Sequence, residues 1–106
     1  LAMEPTVRRI LGALAAGQNL GPESSILKTR GTELQQAVTE LALEISGNYA
    51  TPLDQSTPAP GDNFQSIGPQ THNGVTQEYF NTRKVSIYAG SNEIQRNIMS
   101  KLVLGL

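Results

Sequence analysis

The sequence predicts an all-α chain that forms part of an up-down helical bundle. Three observations point there. Leu27, Leu34, Val38, Leu41 and Ile45 recur at steps of seven, four, three and four, a single stripe on the 3.6-residue period. Ile94, Ile98 and Leu102 follow one another every four residues behind Ser91, whose hydroxyl suits a helix N-cap. Between these patterns, from Asn48 to about Gly74, the chain is punctuated by Pro52, Pro58, Pro60, Gly61, Gly68 and Pro69 and reads as one long irregular loop.

The first helix is expected from about Pro5 to Gln18, with Val7, Ile10, Leu11 and Leu14 at helical intervals. Pro5 suits a first turn, where its missing N–H would have had no partner, and would instead mark a kink if Leu1 to Glu4 are helical too. Gly12, Ala13, Ala15 and Ala16 leave a smooth face for a second helix, and the Gly17 to Pro22 stretch ends the element. The second helix, about Pro22 to Ser46, carries the long stripe, widened by Ala37 and Ala42. Glu23 favours the positive end of its dipole, and Gly47-Asn48 forms its stop.

At 1.5 Å per residue the second helix would be about 37 Å long and the first about 20 Å. A good part of the second helix therefore lacks a partner within the chain. Missing N-terminal helices, self-association, or both would supply one.

The loop exceeds the ~15 residues usual for structureless connections in a compact domain, and is expected to pack on a partner or cover a cofactor, with simple disorder as the alternative. Tyr49, Phe64 and Ile67 would pin it to a surface. A third helix is expected at about Val75 to Tyr88 and a fourth at about Asn92 to Val103, with Glu93 in its first turn and Gly105 as its stop.

Composition excludes several functions. At 106 residues the chain is at most one domain, 38% hydrophobic and 16% charged. A net charge of -1 lacks the electrostatic footprint of a nucleic-acid surface, and Arg8-Arg9 and Arg83-Lys84 read as solvated helix faces. With no cysteine there is no disulfide, thiolate nucleophile or Cys-type zinc site, which fits a reducing compartment.

His72 is the one histidine, expected as a solvent-exposed loop residue, and no metal site is expected. No apolar run approaches the ~20 residues of a membrane span, and no leader opens the chain. A first residue of Leu rather than Met suggests a segment of a longer, soluble polypeptide.

Chemistry legible from the residues alone is sparse. Glu33, Glu40 and Glu44 fall near one face of the second helix and read as a solvated stripe. The break at Ala89-Gly90-Ser91 has two readings. A capped helix N-terminus presents oriented N–H donors to an anionic group. The plainer reading is a helix–helix corner with an ordinary cap, and sequence physics alone prefers it.

Three blocks shift that balance. The first runs from Leu14 to Lys28 and includes Gly17-Gln18-Asn19-Leu20-Gly21-Pro22-Glu23. The second has Gly31-Thr32-Glu33-Leu34-Gln35-Gln36, then Glu40 to Glu44. The third has Tyr79-Phe80-Asn81-Thr82-Arg83, then Ile87-Tyr88-Ala89-Gly90-Ser91-Asn92-Glu93-Ile94-Gln95-Arg96-Asn97. Together they closely resemble the later half of the C-terminal helical domain of acyl-CoA dehydrogenases. Within that family they look most like the large-subunit type of bacterial pimeloyl-CoA dehydrogenase.

The resemblance implies an FAD-dependent desaturation of an acyl-CoA thioester in the bacterial cytoplasm. It implies an electron-transfer acceptor and a homo- or hetero-oligomer, with the N-terminal helical and middle β domains outside this chain. In the family a carboxylate takes the α-proton while the β-hydride passes to the flavin, and a main-chain N–H polarises the thioester carbonyl.

Residue by residue, the resemblance places Tyr88, Ala89 and Gly90 at the substrate, with the carbonyl-binding N–H belonging to Ala89. It places Ser91 and Glu93 on the diphosphate side of FAD. Two positions depart from the pattern. Ala89 stands where many members carry the catalytic base, so no residue of this chain is assigned that role. The base would lie on a helix before Leu1, or the subunit would support a catalytic partner. Many relatives also have Gln-x-x-Gly-Gly after the second helix to reach FAD across a subunit interface. Here Glu44-Ile45-Ser46-Gly47-Asn48 lacks the Gln and one Gly.

Overall fold

In a computed structural model of the chain, residues 3–19, 21–51, 61, 63 and 68–106 are described. All regular structure among them is helical, in the order α1 (Met3–Ala15), α2 (Glu23–Ser46), α3 (Val75–Thr82) and α4 (Asn92–Met99). Short 3-10 turns occupy Gly47–Ala50, Gln70–His72 and Arg83–Ser86, and a π-helical turn at Ser100–Leu104 prolongs α4. The expected all-α class is therefore observed.

Local chemistry accounts for the ends. Pro5 is the third residue of α1, inside the first turn, where backbone N–H groups lack intrahelical partners anyway. α1 stops earlier than expected because Gly17 takes a φ of 73°. Its N–H then donates to Leu14 O at 3.0 Å, and that of Gln18 to Ala13 O at 3.0 Å. This pair of bonds satisfies carbonyls that a continuing helix would have used. The expected third helix splits: the α-helical part ends at Thr82, and Arg83–Ser86 tighten into a 3-10 turn.

The chain forms two units, one of residues 1–34 and 86–106, the other of residues 35–85. In the first, the N-terminal part of α2 meets α4. Glu33 bonds Arg96 Nη2 through one carboxylate oxygen and Arg30 Nη1 through the other, each at 2.9 Å. The expectation of a solvated glutamate stripe is corrected here: Glu40 and Glu44 are exposed, but Glu33 joins two elements.

In the second unit α3 is tied to α2 through Arg83. Its Nη2 donates to Gln36 O at 2.8 Å and to Thr39 Oγ1 at 2.9 Å, while Gln36 Nε2 donates to Arg83 O at 3.1 Å. The guanidinium also lies 4.2 Å from the Tyr79 ring centre. Arg83 is thus a docking residue, not a solvated one.

The loop expectation is partly corrected. Its start and end are 3-10 turns joined to their surroundings: Thr76 Oγ1 donates to Ala50 O at 2.6 Å, and Tyr49 meets His72 edge-on at 5.8 Å. His72 is half-buried rather than solvated, and its Nδ1 is enclosed without a partner among the described residues. Phe64 and Ile67 lie outside the described residues.

The inward side of α2 is polar. Ser25, Thr29 and Ser46 are buried, and Thr32, Gln36 and Thr39 between them are half-buried, all at three- and four-residue steps except the last. In the first unit Thr32 accepts from Asn92 of α4, and in the second Gln36 and Thr39 accept from Arg83, whereas only Ala50 and Val85 are buried apolar residues among those described. The apolar stripe faces away: Leu34 is 57%, Val38 57%, Leu41 55% and Ile45 70% exposed. The smooth face of α1 is also uncovered, with Gly12, Ala15 and Ala16 exposed.

Candidate functional site

The segment joining the Arg83–Ser86 turn to α4 is short and strained. Ala89 has a φ of 55°, the one non-glycine residue with positive φ among those described, and Gly90 follows at 81°. A Cβ in this left-handed region meets its own backbone, at a cost of roughly 1–2 kcal/mol. Such conformations persist where surrounding structure enforces them, and they cluster at functional sites. At Gly90 any side chain would be strained by the φ of 81°, whereas Gln95 Nε2, 2.7 Å from an added Cβ, ends a flexible side chain that can move aside.

After Gly90 the backbone extends at Ser91, with φ -60° and ψ 158°. Its Oγ accepts from Ile94 N at 3.4 Å, and its carbonyl accepts from Gln95 N at 3.0 Å. These are the bonds of an N-cap, as the sequence indicates. Tyr88, Ala89 and Gly90 are exposed, and Ser91 is half-buried.

Glu93 sits in the first turn of α4. Its own main-chain N–H and the Ser91 hydroxyl hold its carboxyl below the ordinary value of 4.5, with Arg96 and Lys28 helping and slight desolvation opposing. Glu93 is therefore a carboxylate at neutral pH. It partly occupies the donors that a capped helix start would otherwise offer an anion.

A buried amide underlies the turn. Asn92, 6% exposed, receives Lys28 Nζ on its Oδ1 at 2.8 Å, and its Nδ2 donates to Thr32 Oγ1 at 3.0 Å. Lys28 Nζ also reaches Ser86 O at 3.4 Å. Sequence reasoning assigned no role to Lys28, Thr32 or Asn92. The partners are about sixty residues apart in the chain, and neither spacing nor residue type announces that one lysine meets both ends of a turn. Near them, Thr29 Oγ1 is buried without a hydrogen-bond partner among the described residues, and nothing in the structure accounts for it.

Chemically the turn offers donors and no base. Ala89 contributes a main-chain N–H and a methyl group, and that N–H makes no main-chain hydrogen bond in the turns and caps of the described residues. No group of three or more His, Cys, Asp or Glu able to hold a metal occurs among the described residues. No described helix is long and apolar enough to cross a membrane.

Comparisons with curated proteins and with solved structures each find no match. A comparison with family profiles does: residues 2–104 match the family described as "Acyl-CoA dehydrogenase, C-terminal domain". With nearly the whole sequence matched and an all-helical fold, the chain belongs to the acyl-CoA dehydrogenase C-terminal domain family.

Proposed function

We propose that this chain is the later part of the C-terminal helical domain of an FAD-dependent acyl-CoA dehydrogenase, with Ala89 N–H donating to the thioester carbonyl of the substrate. The carrying observation is the left-handed Ala89, whose N–H is held in an exposed turn without a main-chain partner among the described residues. A donor fixed before the reaction stabilises negative charge developing on the carbonyl oxygen without reorganising. Tyr88 lines the acyl side, and Gly90 leaves the approach open.

FAD, when bound, would accept the β-hydride. The α-proton goes to a base that none of Tyr88, Ala89, Gly90 or Ser91 supplies as a carboxylate. For the cofactor, Ser91 and Glu93 fit a hydroxyl-bearing part. The ionised Glu93 would repel a diphosphate placed against it, so that detail of the resemblance fits poorly. The large-subunit pimeloyl-CoA type, a cytoplasmic setting and an electron-transfer acceptor rest on the resemblance.

The test uses the full-length protein. Purification with a flavin spectrum, and bleaching of that spectrum by an acyl-CoA under anaerobic conditions, is the expected result. Flavin that binds but is not bleached by any acyl-CoA would sink the catalytic reading. The isolated 106-residue chain is expected to do neither.

A second reading is favoured by the alanine at position 89 and by the exposed α2 stripe: a non-catalytic helical subunit or oligomerisation module of such a complex. A glutamate on the preceding helix that faces the acyl site favours the enzyme, and its absence favours the module.

A further inference from the structure

We infer that Lys28 is a positioning residue that sets the direction of the Ala89 N–H by gripping both ends of the Ile87–Ser91 turn. The inference rests on the reading of Ala89 given above. Ser86 closes the preceding 3-10 turn and Asn92 opens α4, so the two Lys28 acceptors flank the strained segment. One side chain from α2 thereby fixes the entry and the exit of a turn whose own conformation is unfavourable.

The amide orientation follows from the network. Asn92 Nδ2 donates to Thr32 Oγ1 at 3.0 Å, and the one Thr32 hydroxyl proton has two acceptors within reach, Thr29 O at 2.9 Å and Asn92 Oδ1 at 3.1 Å. Lys28 Nζ, which can only donate, therefore sets the amide, with Asn92 Oδ1 facing it at 2.8 Å. The short Lys28–Asn92 bond involves a charged donor and a buried acceptor, the stronger kind of hydrogen bond. The 3.4 Å bond to Ser86 O is weaker and acts as a second restraint.

Attraction to the helix does not explain the placement. Asn92 is the first residue of α4, and a cation at a helix N-terminus opposes the macrodipole. Lys28 is held there by its two oxygen acceptors, with Glu93 offsetting part of the mismatch. An arginine could keep the grip, whereas a methionine of similar length would lose it.

The test compares Lys28→Met and Lys28→Arg in the full-length protein by two readouts. The first is affinity for an acyl-CoA thioester against the thioether analogue that lacks the carbonyl oxygen. The unaltered protein is expected to prefer the thioester, K28M to lose about tenfold of that preference (~1.4 kcal/mol), and K28R to retain most of it. The second is amide hydrogen exchange, expected to quicken in K28M over residues 86–92 and not in α1.

A thioester preference unchanged in K28M overturns the positioning role and leaves the reading of Ala89 standing. Equal affinities in the unaltered protein overturn the reading of Ala89, and the positioning role with it. Should K28M fail to fold, Thr32→Val removes only the hydroxyl that accepts from Asn92 Nδ2. A smaller loss in the same direction is then expected, and no loss overturns the inference.

Discussion

Ala89 and Gly90 are adjacent left-handed residues, yet substitution should act on them in opposite directions. Ala89→Gly removes a Cβ from an unfavourable conformation and should raise stability by roughly 0.5–1 kcal/mol. Gly90→Ala adds one where φ is 81° and the Gln95 amide is close, and should cost about 1–2 kcal/mol. Thermal unfolding of the two variants checks the pair; shifts of the same sign would show that the turn is not strained as described. Glu93 allows a prediction in pH. Its folded-state pKa is depressed, so its stabilising contribution is present above the unfolded value of 4.5 and is lost as pH falls through the lower folded value. Melting temperature measured down an acid series should therefore fall less steeply below 4.5 in Glu93→Gln than in the unaltered protein.

At the scale of elements, the sequence located the four α-helices of the described residues, because backbone hydrogen bonding and amphipathic spacing are local properties, but not the 3-10 turns at Gly47–Ala50 and Gln70–His72. It did less well with ends and partners. α3 stops at Thr82 because Arg83 turns back to α2, a destination more than forty residues away in the chain. Arg83→Lys tests that docking. Lysine keeps the charge but not the planar fork that reaches Gln36 O and Thr39 Oγ1 while lying over Tyr79. A loss of about 1–3 kcal/mol in unfolding free energy is expected, measured by denaturant titration, and a loss within error would demote Arg83 to a surface residue. The Ser91 cap was legible because its side chain and the N–H it accepts from are three residues apart. The Lys28–Asn92–Thr32 network was not, since its members meet only when α2 and α4 pack.

For the whole molecule, the outward apolar stripe on α2 is the main physical consequence. Leu34, Val38, Leu41 and Ile45 are each more than half exposed, and contiguous apolar surface of this kind marks an interaction face. Under the oligomerisation reading, Leu34→Lys with Leu41→Lys should lower the association state in sedimentation velocity while leaving helical circular dichroism intact. Association unchanged by the pair would remove the stripe from that role.

What the sequence determined by itself was the helical class, the approximate position of the four described α-helices, the serine cap and the family, all carried by local spacing or by ordered motifs. The tertiary structure alone decided which side of α2 faces inward. Hydrophobic periodicity reveals that a helix has an apolar face but not what covers it, and here the inward side is the polar one. It also decided that Ala89 is left-handed and that a distant lysine grips its turn. A backbone angle at a non-glycine residue and a contact across about sixty residues depend on packing, which no local pattern encodes.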